Sequence, residues 1–277
     1  MLEKKYDLAT CQVNWSAGGK AHNVAVQLNH WKVRAISTIC AMGSDTKAWE
    51  QCAKSDGVKI LKIPVRVEMR KDWALVGKRW QRIDFFTPDP QIDRVGWAKI
   101  RKFWMRELKA GDVWVVAGSS AGGWPRGWWQ RLIRDLRING VLILVDSRGA
   151  LLREALEAGV DWVKCNLNEA EGTSCERGVD RCLKWLRRKA GKKSSILLTL
   201  GRRGMVADLA DRRIAVAATQ IRIKDATGSG DVVTAGLIYG LMKGWTMDRT
   251  IRLAAEAGTR NASRADVGRV KRQVFAS

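Results

Sequence analysis

Apolar and polar positions follow two alternating rhythms along this chain. Short apolar runs predict strands over residues 33–41, 113–118, 141–145, 161–164 and 195–200. Between and after them, apolar residues recur at helical spacing. This predicts helices over 45–55, 92–108, 126–138, 151–158, 176–190, 230–243 and 248–263. Strands separated by helices imply an α/β fold whose parallel sheet is covered on both faces. Such sheets bind ligands beyond the carboxyl ends of their strands. One stretch breaks the alternation: 58–70, 73–78 and 81–86 read as short strands with no helix between them. They predict a small sheet standing off the main body. No internal repeat, low-complexity tract or linker interrupts the chain, so a single domain over 1–277 is expected, with 58–90 as a β lid.

The chemistry concentrates in two glycine turns. Asp225-Ala226-Thr227-Gly228-Ser229-Gly230-Asp231 runs directly into an apolar helical pattern. A glycine-flanked turn opening a helix leaves backbone N–H groups aimed outward, and the positive end of the helix dipole adds to them, making an anion site. A carboxylate there is electrostatically awkward beside phosphate unless it has chemistry to do. Asp231 is therefore read as the base that takes a proton from a substrate hydroxyl, with the Gly228–Gly230 amides holding the phosphoryl group under attack. An ordinary acidic first turn is the plainer alternative. Ala17-Gly18-Gly19-Lys20-Ala21-His22-Asn23 forms a second glycine turn before an amphipathic helix, now with a lysine. Two anion sites facing one cleft are what a phosphoryl transferase needs.

Composition narrows the setting. The 277 residues are 46% apolar, enough for a large core. No run of 18 apolar residues and no signal-peptide core occur, so no membrane partner is expected. The six cysteines lack CxxC spacing and lie mostly far from the two histidines, which argues against structural zinc and for reduced thiols in a cytoplasm. The net charge of +22 is the odd feature. It is spread over 94–109, 126–137, 177–193 and 264–272, where cations alternate with apolar residues at helical spacing. Solvated helix faces account for it, and nonspecific attraction to nucleic acid is the alternative. The 14 tryptophans are expected to pack helices rather than stack bases.

Taken together, the motifs resemble those of the ribokinase-type (PfkB) carbohydrate kinases. Gly18-Gly19-Lys20 with Asn23-Val24-Ala25 is similar to the first family signature, and the Asp225–Asp231 turn to the second. Lys164-Cys165-Asn166-Leu167-Asn168-Glu169 resembles the segment tied to magnesium and ATP phosphates. Thr199-Leu200-Gly201-Arg202-Arg203-Gly204 resembles the turn that meets the nucleotide, and Gly118-Ser119-Ser120 stands at another family turn. The resemblance implies a ribokinase-like three-layer α/β/α fold with a mostly parallel central sheet and a small β lid.

It also implies ATP-dependent transfer to a sugar phosphate, closest to the 1-phosphofructokinase and tagatose-6-phosphate kinase branch, with ATP and Mg2+. Asp231 would be the base, and Gly228, Ser229 and Gly230 the anion hole. Asn166 and Glu169 would organise magnesium, directly or through water. Lys164, Thr199, Gly201, Gly204 and Asn261 would serve the nucleotide. Gly18, Gly19, Lys20, Asn23, Arg66 and Ser119 would face the sugar phosphate. An arginine suits phosphate because its planar fork donates two hydrogen bonds.

Several departures fall on the sugar side. The family begins about one strand earlier, so the first strand and its sugar-gripping aspartate are expected to be missing. Trp15, Ala21, Glu68 and Ala121-Gly122-Gly123 replace a basic residue, a glycine, an asparagine and a Leu-Pro-Pro-type turn. A homodimer through the lid is a further expected partner. The second reading is a degenerate member that binds nucleotide or nucleic acid without efficient turnover.

Overall fold

The computed structural model describes residues 15–40, 44–76, 82–264 and 269–270. The expectation of a missing first strand concerns the chain ahead of Met1 and lies outside the described residues. Six strands form the main sheet. They are β5 (Val113–Ala117), β6 (Leu142–Asp146), β7 (Trp162–Asn166), β8 (Ser195–Thr199), β9 (Met205–Asp208) and β10 (Arg213–Val216). Across the sheet they run in the order β10-β9-β8-β7-β6-β5. The pairs from β5 to β8 are parallel, while β9 turns back and pairs antiparallel with both β8 and β10. The final hairpin, β9 and β10, escaped the hydrophobic pattern because both strands are only four residues long.

Successive residues of the central strands face opposite layers, as strand geometry requires. Ile143 and Val145 pack with α3 (Arg94–Glu107), α4 (Trp128–Ile138), α5 (Gly149–Ala158) and α7 (Val179–Ala190). Leu144, Trp162 and Leu197 pack on the other side with α1 (Lys20–His30), α8 (Ser229–Met242) and α9 (Met247–Ala262). This is a three-layer α/β/α arrangement. Many of the tryptophans belong to it: Trp97, Trp114, Trp128 and Trp129 meet in the first core, with Trp97 and Trp128 edge to face at 4.7 Å. Trp31 and Trp162 belong to the second core.

The segment 58–90 divides differently from the expectation. β2 (Lys59–Ile63) pairs in parallel with β1 (Ile36–Cys40) rather than joining the lid. Helix α2 (Ser44–Ser55) connects these two strands. Within this segment, β3 (Asp72–Val76) and β4 (Arg82–Phe86) form the antiparallel hairpin that stands apart. β2 and β3 are separated by 64–71, which is not strand.

Candidate active site

The carboxyl ends of the strands and the hairpin enclose a cleft of about 2470 Å³. Two helices begin there. The first turn of α8 carries Asp231, which is only 5% exposed. Ser229 N–H bonds Ala226 O, and the Asp231 and Val232 N–H groups bond Gly228 O. Among the described residues no acceptor is set against the Gly228 and Gly230 amides, so they are available to an anion. A Cβ at Gly230 would sit 2.9 Å from Lys164 Nζ, so a larger residue there would displace the tip of that lysine.

Asp231 Oδ2 accepts a 2.7 Å hydrogen bond from Asn23 Nδ2 on α1. Burial pushes the Asp231 carboxyl up to about 6, aided by Asp146 and opposed by the Asn23 bond and by Lys164 and Lys20. A carboxylate poised there can accept a proton near neutral pH.

Asp146 organises the floor of the site. It ends β6 and is fully buried, and its Oδ2 accepts from Lys164 Nζ at 2.8 Å and from Thr234 Oγ1 at 2.9 Å. Its Oδ1 lies 3.4 Å from Lys20 Nζ. Burial alone would raise this carboxyl, but Lys164 and Lys20 outweigh it and hold it below the ordinary value. The Lys164 charge is therefore already balanced within the protein. Lys20 Nζ also donates to Glu169 Oε1 at 2.8 Å. Burial would lower this ammonium, yet Asp146 and Glu169 together hold it above its usual range.

Asn166 and Glu169 have a local reason for their spacing. Asn166 caps α6 (Leu167–Ser174), accepting from Glu169 N at 2.8 Å, while Glu169 Oε2 accepts from Asn166 N at 2.9 Å. This is a capping box. It leaves Glu169 Oε1 turned toward the cleft, where Lys20 holds it. Among the described residues no group of three or more His, Cys, Asp or Glu side chains could hold a metal ion.

The remaining expected residues separate into two groups. Gly18, Gly19, Ser119, Thr199 and Gly201 line the cleft. Gly204 lines it too, but its freedom is used internally: with φ of 93°, it lets Val216 O approach to 2.0 Å from where a Cβ would be. Asn261 lies beneath the wall, donating to Thr227 O at 2.9 Å and Ser229 Oγ at 3.0 Å, so it braces the turn from behind. Arg66 is exposed and does not line the cleft. Arg70, four residues later, does, and it donates to Ser119 Oγ and Asp89 Oδ1, each at 2.8 Å, and to Asp72 Oδ1 at 2.9 Å. Arg70 and Asp72 repeat the spacing of Arg66 and Glu68 at the point where the lid strand begins.

Sequence reasoning missed Arg70 and Asp146. The available signal for Asp146 was a carboxylate ending an otherwise apolar strand, at the end of the sheet where ligands bind. Trp49 on α2 was missed as well. Its Nε1 donates to Gly18 O at 3.2 Å, and its ring meets His22 edge to face at 4.8 Å. His22 is buried between Ser37 and Asp56, at 3.2 and 3.1 Å, so α1 and its glycine turn are tied to the neighbouring layer.

A parallel-sheet α/β protein with a buried carboxylate at a helix N-terminus, free amides and cations around one cleft is built for group transfer to a hydroxyl. Residues 4–270 match the pfkB family carbohydrate kinases, and the chain belongs to that family. It is a carbohydrate kinase with a ribokinase-like fold. It is similar to a tagatose-6-phosphate kinase of Staphylococcus epidermidis, 23% identical over 271 residues, covering 95% of this chain and 87% of the relative. Phosphofructokinase-2 from Escherichia coli, solved with potassium, shares the fold with a TM-score of 0.85 at 18% identity, over 93% of this chain and 85% of that one. Ribokinase from Thermotoga maritima shares it with a TM-score of 0.69 at 14% identity, over 91% and 82%.

Proposed function

We propose that this kinase transfers the γ-phosphoryl group of ATP to a hydroxyl of a sugar phosphate, as a hexose-phosphate kinase of the 1-phosphofructokinase type. The observation that carries the reading is Asp231, buried at the start of α8 and held by Asn23 across the cleft. Asp231 takes the hydroxyl proton as the oxygen attacks the γ-phosphorus and ADP leaves. The Gly228 and Gly230 amides hold the transferring group, with Ser229 in the same turn. Lys20 offsets phosphate charge once ligand draws it from Glu169 and Asp146. Lys164 sets the position of Asp146 and the α8 turn. Thr199, Gly201 and Gly204 form the nucleotide wall, and Asn261 braces it. Gly18, Gly19, Asn23 and Ser119 face the sugar.

Arg70, not Arg66, is the proposed grip on the substrate's own phosphate, since it stands in the cleft beside Ser119. The similarity to a tagatose-6-phosphate kinase and a phosphofructokinase supports a phosphorylated acceptor.

A hard cation asks for oxygen ligands and keeps several waters. Glu169 Oε1 and the Asn166 amide oxygen suit Mg2+ carried in with nucleotide phosphates, and these two residues would hold it, directly or through water. Bound there, it would neutralise phosphate charge.

The lid presents Trp73, Phe85 and Phe86, each about half exposed or more, with Trp15 packed edge to face on Trp73 at 5.6 Å. That apolar surface supports a homodimer through the lid. Five free cysteines and no disulfide among the described residues support a reducing cytoplasm, and among those residues no helix is long and apolar enough to cross a membrane.

The test is ATP consumption over a panel of sugar phosphates beside the matching unphosphorylated sugars. Turnover with a hexose phosphate alone is expected. Nucleotide binding without turnover of any acceptor would sink the proposal.

A further inference from the structure

The surplus charge is not evenly distributed over the three layers. Helix α7 carries five cations against one acid, and α3 likewise. The opposite layer has no such helix: α8 holds a single charged residue, Asp231, and α9 mixes both signs.

The cations of α7 differ in their use. Arg187 is bound to Asp208 and Lys189 lies 3.6 Å from Glu157. Arg181, Lys184 and Arg188 are exposed, spaced three and four apart on one face, and Lys192 follows just past the helix end. Among the described residues none of these four has an anionic partner. None of them lines the cleft.

We propose that this outer face of α7 is a docking strip for the phosphate backbone of a nucleic-acid duplex. Twelve residues at ~1.5 Å each make a line ~18 Å long and one helix wide. A line of cations matches a linear polyanion, whose counterions are released on binding.

The apolar residues of the helix are unavailable to other partners. Cys182, Leu183, Trp185 and Leu186 are buried against the sheet, so no ring is offered to stack a single-stranded base and no side chain to enter a bilayer. The strip therefore recognises phosphates without reading sequence.

The test is binding of a labelled mixed-sequence DNA duplex to the full chain across salt concentrations. With about four phosphate contacts, log K should fall against log salt with a slope of roughly −3 to −4, about hundredfold between ~50 and ~200 mM. The triple variant R181Q/K184Q/R188Q should lose about three from the magnitude of that slope, at roughly −0.9 per phosphate. It should keep wild-type turnover and melting temperature, because these side chains touch neither core nor cleft. The matching variant on the other basic helix, R94Q/K99Q/K102Q, should leave the slope unchanged. Any of three results overturns the proposal: no duplex binding at ~50 mM salt, an unchanged slope in the α7 variant, or tighter binding to anionic vesicles than to duplex at equal phosphate concentration.

Discussion

The two walls of the cleft are built on different principles. The catalytic wall, from α1, β6, β7, α6 and α8, is a largely buried network of polar groups: Asp146 with Lys164, Lys20 with Glu169, Asp231 with Asn23. The lid wall, from β3 and β4, is an exposed hairpin whose Arg70 pairs with Asp72 and Asp89 near solvent and lies over the Phe86 ring at 5.0 Å. At the centre of the first wall Asp146 and Lys164 hold each other inside a low dielectric, so a single removal leaves a buried ion. In the second, water screens the partners and a single removal costs little stability. On the proposed function, the tuned proton acceptor sits on the first wall and the grip on the substrate phosphate on the second.

The largest expected effect separates function from stability at Asp231. Asp231→Asn should lower turnover by roughly 10²–10⁴ while nucleotide affinity hardly changes, measured by steady-state kinetics and binding. In the wild type, turnover should rise with pH through about 6 as Asp231 loses its proton. Stability should move the other way. The folded protein holds this proton up to about pH 6, whereas the unfolded chain releases it near ~3.9. The stability that Asp231 contributes is thus full below ~pH 4 and is lost as pH rises through about 6. The Asn variant should escape that fall and be more stable above pH 6 by on the order of 3 kcal/mol, at ~1.36 kcal/mol per pKa unit. A variant that is both inactive and less stable at pH 8 would make the turn a structural element.

Asp146→Ala comes next. It strands Lys164, which is 2% exposed, and should cost about 3–5 kcal/mol in denaturant unfolding. If the loss is below ~1 kcal/mol, the catalytic wall is no more tightly coupled than the lid.

On the lid, Arg70→Ala should weaken a phosphorylated acceptor by about 1.5–3 kcal/mol and leave unphosphorylated sugars and the melting temperature little changed. Arg66→Ala should do nothing measurable to either. A reversal of these two would restore Arg66 as the phosphate grip.

The smallest effect lies between the walls. Trp49→Phe keeps the ring against His22 and removes the bond to Gly18 O, which should cost about 0.5–1.5 kcal/mol. It should show chiefly in KM for the acceptor, since the turn carrying Lys20 loosens. An unchanged KM would mean that the bond only packs α2.

The sequence by itself determined most of the layers. Alternating apolar runs and helical spacing belong to single elements, so β5 through β8 and helices α4, α5 and α7 were legible without any neighbour, whereas α6, which follows β7 directly, was not. The two glycine turns were legible as well, because an anion site at a helix start is made from consecutive residues. Local reading failed where the partner lies far along the chain. Residues 58–70 looked like one lid strand, yet β2 belongs beside β1 because parallel pairing is chosen by what covers it. Arg66 and Arg70 carry the same charge in similar surroundings, and only the start of β3 decides which of them reaches the cleft. Asp146 gains its role from Lys164, Lys20 and Thr234, which come from three other elements. A buried charge has no local signature, since its value is set by the charges that folding brings around it.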